Sequence, residues 1–558
     1  MKFKLLALLL IAIVNGAIFI TDGPFSEKVS KINDMIKGKQ SDVLSTLDVD
    51  SGKIASLLQE LPEIKYDQVN PMGDSLNEVN ERSNVEDRLF QSDILLTEKQ
   101  AKTIISDIDE QVRGSNRTKR QAIADRDGVK LWKTGVNYYF SPSLNSKTKR
   151  AFLMGADMWQ KYSCVYFKHN PYAEDRVKIE YGQGCWSSLG KVGGEQKISL
   201  GEGCDVGSIA AHEIGHTIGF WHTMARYDRD SFITLNVGNI KESWLSQFAK
   251  QTPQTNDNFN LTYDYGSIMH YGGRSAGIDR RTPTMVPFNT DYQETLGSHF
   301  MSFIDLSMIN ELYGCKKNCA GKRSAQCKMG GFPNPNDCSK CVCPGGYAGD
   351  LCTERPDEGC GSKLDATEEW KTLTDVLGDY SVRQPLEDFK KCNYWIESPK
   401  GTDIIVEIVS LKGHQAVDGC VFTGVEIKTN KNQQLTGYRF CAPQAAGKSF
   451  RSSTNRVPII TWNKVFKSET VLRYRHVPAG KPQPSSQVVR PSLPRTLPPS
   501  PTRVTTTTRY PWSPRTVPIK TKTCTKRVDP SCLPYINAGL CFDPRKMQYC
   551  PKDCRITC

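Results

Sequence analysis

The chain has 558 residues, too many for one hydrophobic core and enough for three or four domains. A formal charge of +13 would suit a nucleic-acid partner, but residues 478–523 hold eight Lys or Arg and no acid, so the excess belongs to one extended stretch and nucleic acid is set aside. Twenty cysteines point to disulfides in an oxidising compartment and away from a reduced cytosolic enzyme.

In chain order, Met1-Lys2-Phe3-Lys4 and the apolar run from Leu5 to Val14 predict a signal peptide over residues 1–17. The run is too short to span a bilayer and no comparable stretch follows, so the expectation is a secreted product with no stable membrane anchor. Residues 18–120 are charged, lack cysteine and end on Arg117-Thr118-Lys119-Arg120. A basic quartet is usually solvated surface. Here it divides a cysteine-free stretch from a patterned domain, which favours a pro-segment cut after Arg120 by a furin-like convertase.

Residues 121–316 read as a catalytic domain. Val129 to Trp132, Val136 to Phe140, Arg176 to Tyr181 and Lys197 to Leu200 alternate like strands, and Ser146 to Tyr162 places Phe152, Ala156 and Trp159 on one helical face. Then comes His212-Glu213-Ile214-Gly215-His216-Thr217-Ile218-Gly219-Phe220-Trp221-His222. His212 and His216 share one face of a helix, Gly219 can take the positive φ that ends it, and His222 can return as a third imidazole. Three imidazoles leave a fourth position for water, which marks a catalytic zinc, one per subunit, with Glu213 beside the water. The competing reading, a chance cluster on an amphipathic helix, needs five coincidences at fixed offsets. Downstream, Ser267-Ile268-Met269-His270-Tyr271 fits a Met-turn beneath the imidazoles, with Met269 under the site and His270 structural.

The long histidine motif and this turn together resemble the astacin metalloendopeptidases, within the metzincins. The resemblance implies that Tyr271 ligates zinc at rest and stabilises the tetrahedral intermediate in turnover. It implies that Leu89-Phe90-Gln91-Ser92-Asp93 matches the family's latency motif Phe-x-Gly-Asp, with Asp93 as zinc ligand in the zymogen and Ser92 in place of glycine. Asp74, in Met72-Gly73-Asp74, is the next candidate for that role. It further implies that Lys197 to Leu200 is an edge strand on which an extended substrate pairs, and disulfides Cys164–Cys315 and Cys185–Cys204. Thr223 departs from the glutamate that many members carry directly after the third histidine to bind the mature N-terminus.

Beyond the catalytic domain, Cys319, Cys327, Cys338, Cys341, Cys343 and Cys352 resemble an EGF-like module over 317–353, implying pairs Cys319–Cys338, Cys327–Cys341 and Cys343–Cys352. Residues 360–476 resemble a CUB β-sandwich, implying Cys360–Cys392 and Cys420–Cys441; calcium is left unassigned. Residues 478–523 read as a Pro/Ser/Thr/Arg-rich linker. Residues 524–558 resemble a ShK toxin-like module, implying Cys524–Cys558, Cys532–Cys550 and Cys541–Cys554. Asn260 is the expected N-glycosylation site of the mature chain, with Asn116 lost near the activation cut.

The expected fold is therefore multidomain: an α+β metzincin protease domain with an active-site helix, a small disulfide-rich module, an all-β sandwich and a second small disulfide-rich module. The expected function is a secreted, zymogen-activated zinc endopeptidase acting on extracellular proteins, with cuticle or matrix as substrates by family analogy. An inactive matrix or adhesion protein is the rival, disfavoured because Glu213 and all three histidines are present. A channel-blocking toxin is disfavoured because Lys546 and Tyr549 are not adjacent.

Overall fold

The computed structural model describes residues 24–47, 50–113, 131–253 and 255–480. The signal peptide, the basic quartet with Arg120, Asn116, most of the linker and all six tail cysteines with their three pairs lie outside the described residues.

The N-terminal part is helical and wraps the catalytic unit. Helices α1 (Pro24–Lys37), α2 (Gln40–Thr46) and α3 (Ser51–Glu60) precede α4 (Leu76–Arg82), the two-residue strand β1 (Ile94–Leu95) and α5 (Glu98–Val112). Capping boxes fix the starts of α4 (Ser75 with Glu78) and α5 (Thr97 with Gln100), each satisfying backbone N–H groups that a bare helix end would leave open. Ile32, Ile36, Val43 and Leu44 meet Ile104 and Ile108 in a core continuous with that of the catalytic unit. Lys39 pairs with Asp109 at 2.6 Å, tying α2 to α5.

The catalytic unit is built on β2 (Val136–Phe140), β3 (Phe167–His169), β4 (Arg176–Glu180), β5 (Cys185–Ser188) and β6 (Glu195–Leu200). With β1 they form one sheet in the order β1-β5-β6-β4-β2-β3. β5 and β6 are antiparallel and the other neighbours are parallel, so both faces need covering. This order corrects the expectation that Lys197 to Leu200 is an edge strand. β6 lies between β5 and β4; the edge belongs to β5, and β1 pairs along it in parallel, Ile94 opposite Ser187. A second correction concerns Val129 to Trp132: Leu131 and Trp132 form no strand, and Val129 and Lys130 lie outside the described residues. Trp132 instead closes the end of the metal-site helix, its indole N–H donating to Thr217 O at 3.0 Å.

Helices α6 (Ser146–Gln160) and α7 (Gly207–Thr217) cross closely. Gly155 permits the approach, since a Cβ there would stand 2.6 Å from Ala211 N. Trp159, fully buried, donates from its indole to Ala211 O at 2.8 Å, so the crossing is both packed and hydrogen-bonded. Strands β7 (Ile233–Leu235) and β8 (Met285–Pro287) and helix α8 (Phe303–Leu312) complete the lower half. The Cys164–Cys315 bond closes a separation of 151 residues. Loop-closure entropy puts its stabilisation at about 5 kcal/mol. Cys185–Cys204 holds the loop ahead of α7 against β5.

A small unit follows, with β9 (Phe332–Asn334) and β10 (Asp337–Val342) held by Cys319–Cys338, Cys327–Cys341 and Cys343–Cys352. It buries little apolar surface of its own, so the three cross-links supply the constraint that a core would.

The last unit is a sandwich of two sheets, one of β11 (Lys363–Asp365), β13 (Lys390–Glu397), β18 (Arg456–Asn463), β15 (Thr423–Ile427) and β16 (Tyr438–Phe440), the other of β12 (Lys371–Gly378), β19 (Lys467–Pro478), β14 (Thr402–Lys412) and β17 (Ser449–Arg451). Ile404, Val406 and Ile408 of β14 alternate inward against Val425 and Ile427 of β15, as the period-2 pattern requires. Cys360–Cys392 and Cys420–Cys441 are both formed.

Sandwich and catalytic unit are joined by buried polar contacts. Glu294 accepts from the N–H groups of Cys441 (2.9 Å) and Ala442 (2.8 Å), and Arg274 pairs with Asp418 at 2.9 Å. Glu294 lies near both sulfurs of Cys420–Cys441, but these are bonded to each other and offer no thiolate to a metal.

Candidate metal centre

Helix α7 carries His212, Glu213 and His216, and every residue from Gly207 to Thr217 is buried. Gly219, at φ 111°, reverses the chain after the helix, a turn that only glycine makes without strain, and it brings His222 back toward His212 and His216. The Nε2 atoms of His212 and His222 lie 3.1 Å apart, and those of His216 and His212 also 3.1 Å apart. Asp93 Oδ2 stands 3.1 Å from His212 Nε2 and 3.0 Å from His222 Nε2, with Oδ1 3.5 Å from His216 Nε2.

The protons of this cluster are fixed from outside. His212 Nδ1 lies 2.7 Å from Ile268 O and His216 Nδ1 lies 2.8 Å from Phe220 O, so each donates there. His222 Nδ1 faces Gln91 Oε1 at 2.8 Å. The Gln91 amide cannot turn over, because its NH2 donates to Gln247 O at 2.8 Å. All three Nε2 atoms therefore present lone pairs to one another and to a carboxylate. Four such donors converging without a cation would repel. The tetrahedral edge for zinc bonds of about 2.0–2.1 Å is about 3.3 Å, close to the spacings observed. Burial lowers His216 and takes His222 down to about 3, which keeps both rings neutral as ligands must be. The residues fit a zinc ion.

Three further groups face the cluster. Tyr271 Oη lies 2.6 Å from both Asp93 Oδ2 and Gln91 O, sharing its proton between them. Burial, then the Asp93 charge, pushes the phenol well above its ordinary range, so it stays a donor. Asp93 is fully buried, and with three neutral imidazoles around it the Tyr271 hydroxyl and a cation at the centre of the rings are what would offset the cost of keeping its carboxylate ionised. Glu213 is fully buried, neither of its oxygens has a partner among the described residues, and burial with the nearby Asp93 anion drives it upward. Beneath the rings sits Met269, whose sulfur would be 2.5 Å from a Cβ at Gly215; the glycine lets the turn close on the helix. His270 is structural, bonded to Tyr263 Oη and Tyr271 O, both at 2.6 Å. Thr223 donates to Ser267 Oγ at 2.9 Å, tying the third-histidine loop to the Met-turn.

A model of one family matches residues 124–314: Astacin (Peptidase family M12A). The zinc metalloproteinase nas-31 of Caenorhabditis elegans is 42% identical over 419 residues, covering 75% of this chain and 68% of that protein. The chain belongs to the astacin family. It is a zinc metalloendopeptidase. A second astacin relative, zinc metalloproteinase nas-32 of the same nematode, is 38% identical, over 73% of this chain and 61% of its own length. Among solved structures, high choriolytic enzyme 1, a hatching enzyme zinc-protease of the medaka Oryzias latipes, aligns at 28% identity with TM-score 0.31, over 35% of this chain and 94% of that one.

Within this astacin, the predicted residues His212, Glu213, His216, His222, Met269, Tyr271 and Asp93 meet in one place. Asp74 does not join them: it accepts from the N–H groups of Val69 and Asn70 and holds a turn there, which removes it as an alternative ligand. Asn260 is exposed on a loop. Two residues escaped sequence reasoning. Gln91 orients His222, although it stands inside the latency motif. Asn80 fixes the approach of that motif: its amide donates to Ser92 O (2.9 Å) and Cys185 O (2.7 Å) and accepts from Cys185 N (2.7 Å). One of two Asn in a short charged helix gives no signal of this.

Proposed function

We propose that the chain is a secreted, zymogen-activated endopeptidase that hydrolyses peptide bonds of extracellular or matrix proteins. Its residues 18–120 form the pro-segment, 121–316 the protease domain, 317–353 an EGF-like module, 360–476 a CUB module and 524–558 a ShK-like module after a 478–523 linker. His212, His216 and His222 hold the zinc, and Asp93 is the fourth ligand of the latent form. The observation that carries this reading is the Asp93 carboxylate seated among three neutral imidazoles with Tyr271 hydrogen-bonded to it. Seven disulfides among the described residues support an oxidising compartment, and no helix described is long and apolar enough to cross a membrane.

Zinc, when bound, supplies Lewis acidity, lowering the pKa of water and polarising the scissile carbonyl. Glu213, once Asp93 and its charge have left, takes the proton from the attacking water and delivers it to the leaving amine. Once Asp93 has left, the Tyr271 hydroxyl is free to donate to the oxyanion. The free edge of β5, vacated by β1, takes the extended substrate by strand pairing. A convertase cut after Arg120 starts the release, and Asn260 carries the glycan.

Replacing Glu213 by Ala tests the assignment. The mature variant should keep one zinc per chain while losing about 10^3-fold or more of its turnover, and chelation should silence the wild type reversibly. Wild-type hydrolysis that survives strong chelation would sink the reading.

A further inference from the structure

Between α3 and α4, residues 61–74 leave the catalytic unit and cross the sandwich. Asp67 N–H donates to Ala416 O at 2.9 Å and its carboxylate accepts from Ala416 N at 2.9 Å, a two-point clasp on the sandwich backbone. Ile64 is buried against Ala416 and Ala442, and Val69 packs on Val417, Val421 and Phe422. Tyr66 lays its ring 3.2 Å from the Arg274 guanidinium, the same group that pairs with Asp418. The segment thus sits in the crease where the two units join, on apolar surface that its departure would bare to water. From there α4 leads back to Asn80 and then to Asp93, so one continuous stretch grips both sandwich and metal centre.

A cut after Arg120 severs one peptide bond, 27 residues beyond Asp93 (120 minus 93), and touches none of these contacts. We propose that the crease is a docking surface whose partner is this chain's own severed pro-segment, through an irregular stretch of apolar, aromatic and acidic residues. Cutting leaves the segment in place as a non-covalent inhibitor with two footholds, one at the zinc site and one on the sandwich, and activity begins when it dissociates. Because the footholds share a chain, each raises the effective concentration of the other, and loss of the sandwich foothold speeds release without altering the site itself. This rests on the zymogen reading above and extends it to the sandwich.

The test uses the full-length precursor, cut to completion by a paired-basic convertase and then diluted, with hydrolysis of a short peptide followed over time. The wild type should stay largely silent after complete cutting at high concentration and gain activity on dilution, with a lag. In the double variant Tyr66→Ala/Asp67→Ala the lag should shorten about tenfold or more, while the final specific activity matches wild type and the uncut variant stays silent. Adding back the released wild-type fragment should restore inhibition, and about tenfold more of the variant fragment should be needed. Wild-type activity that rises in step with cutting at every dilution overturns the proposal, as does equal inhibition by the two fragments. Failure of the zymogen reading looks different: the uncut wild type would hydrolyse the peptide as fast as the cut enzyme does after full dilution.

Discussion

Ser92 stands where the family's latency motif has glycine, and its backbone φ of 76° shows what the glycine is for. Gln91, at φ 49°, precedes it in the same left-handed region, so two consecutive side-chain-bearing residues hold the turn that aims Asp93. Such conformations cost about 1 kcal/mol or more for residues other than glycine, and surrounding contacts must enforce them. Here they do: Gln91 is bonded through both backbone and side chain to Gln247, and Asn80 holds Ser92 O. Ser92→Gly should therefore stabilise the latent turn by about 0.5–1 kcal/mol, strain relief outweighing the added freedom of the unfolded chain. Slower amide exchange at residues 90–95 of the precursor would show it, and faster exchange would contradict it. At this scale much was legible. The offsets of His212, His216 and His222 encode a helix face and a glycine turn, which are local properties. The partners that orient the imidazoles, Ile268 O, Phe220 O and Gln91, depend on how distant segments pack, and periodicity carries no trace of them.

Among elements, β6 lies inside the sheet although the family resemblance implied an edge, and β5 stands on its outer side. Both are short, and the alternation of a four- to six-residue strand reports burial without reporting which neighbour it pairs with. The order follows from the Cys185–Cys204 link and the Ser187 hydroxyl, which donates to Glu213 O at 2.7 Å and pins β5 beside the metal-site helix. The contact of the catalytic unit with the sandwich is equally long-range, and it centres on Glu294. Burial raises this carboxyl from 4.5 to about 7, only partly offset by the N–H groups of Cys441 and Ala442. Between these values the folded state binds more proton than the unfolded one, so this group's contribution is greatest below pH 4.5 and is lost as pH rises through 7. The full swing is about 3 kcal/mol. Glu294→Gln keeps the acceptor and cannot titrate. The stability of wild type relative to this variant should fall from pH 5 to pH 8 in parallel thermal unfolding series; a relative gain over that range would contradict the account.

For the whole molecule, the sandwich sits against the catalytic unit, and the N-terminal part holds both, its helices on the catalytic unit and residues 61–74 on the sandwich. Cysteine spacing marked the small cross-linked unit after the catalytic domain, and its three bonds and the sandwich's two are formed as the resemblance implied. The wrapping of the five N-terminal helices stayed hidden, since short charged helices take their stability from the surface they cover. The most direct test of the central claim is to measure peptide hydrolysis and zinc content of the uncut precursor with and without Asp93→Ala. The account predicts one zinc in each, a silent wild type, and a variant with at least partial activity that a chelator abolishes. An uncut Asp93→Ala precursor that holds its zinc and is as silent as the wild type would contradict the claim that this carboxylate keeps the enzyme latent.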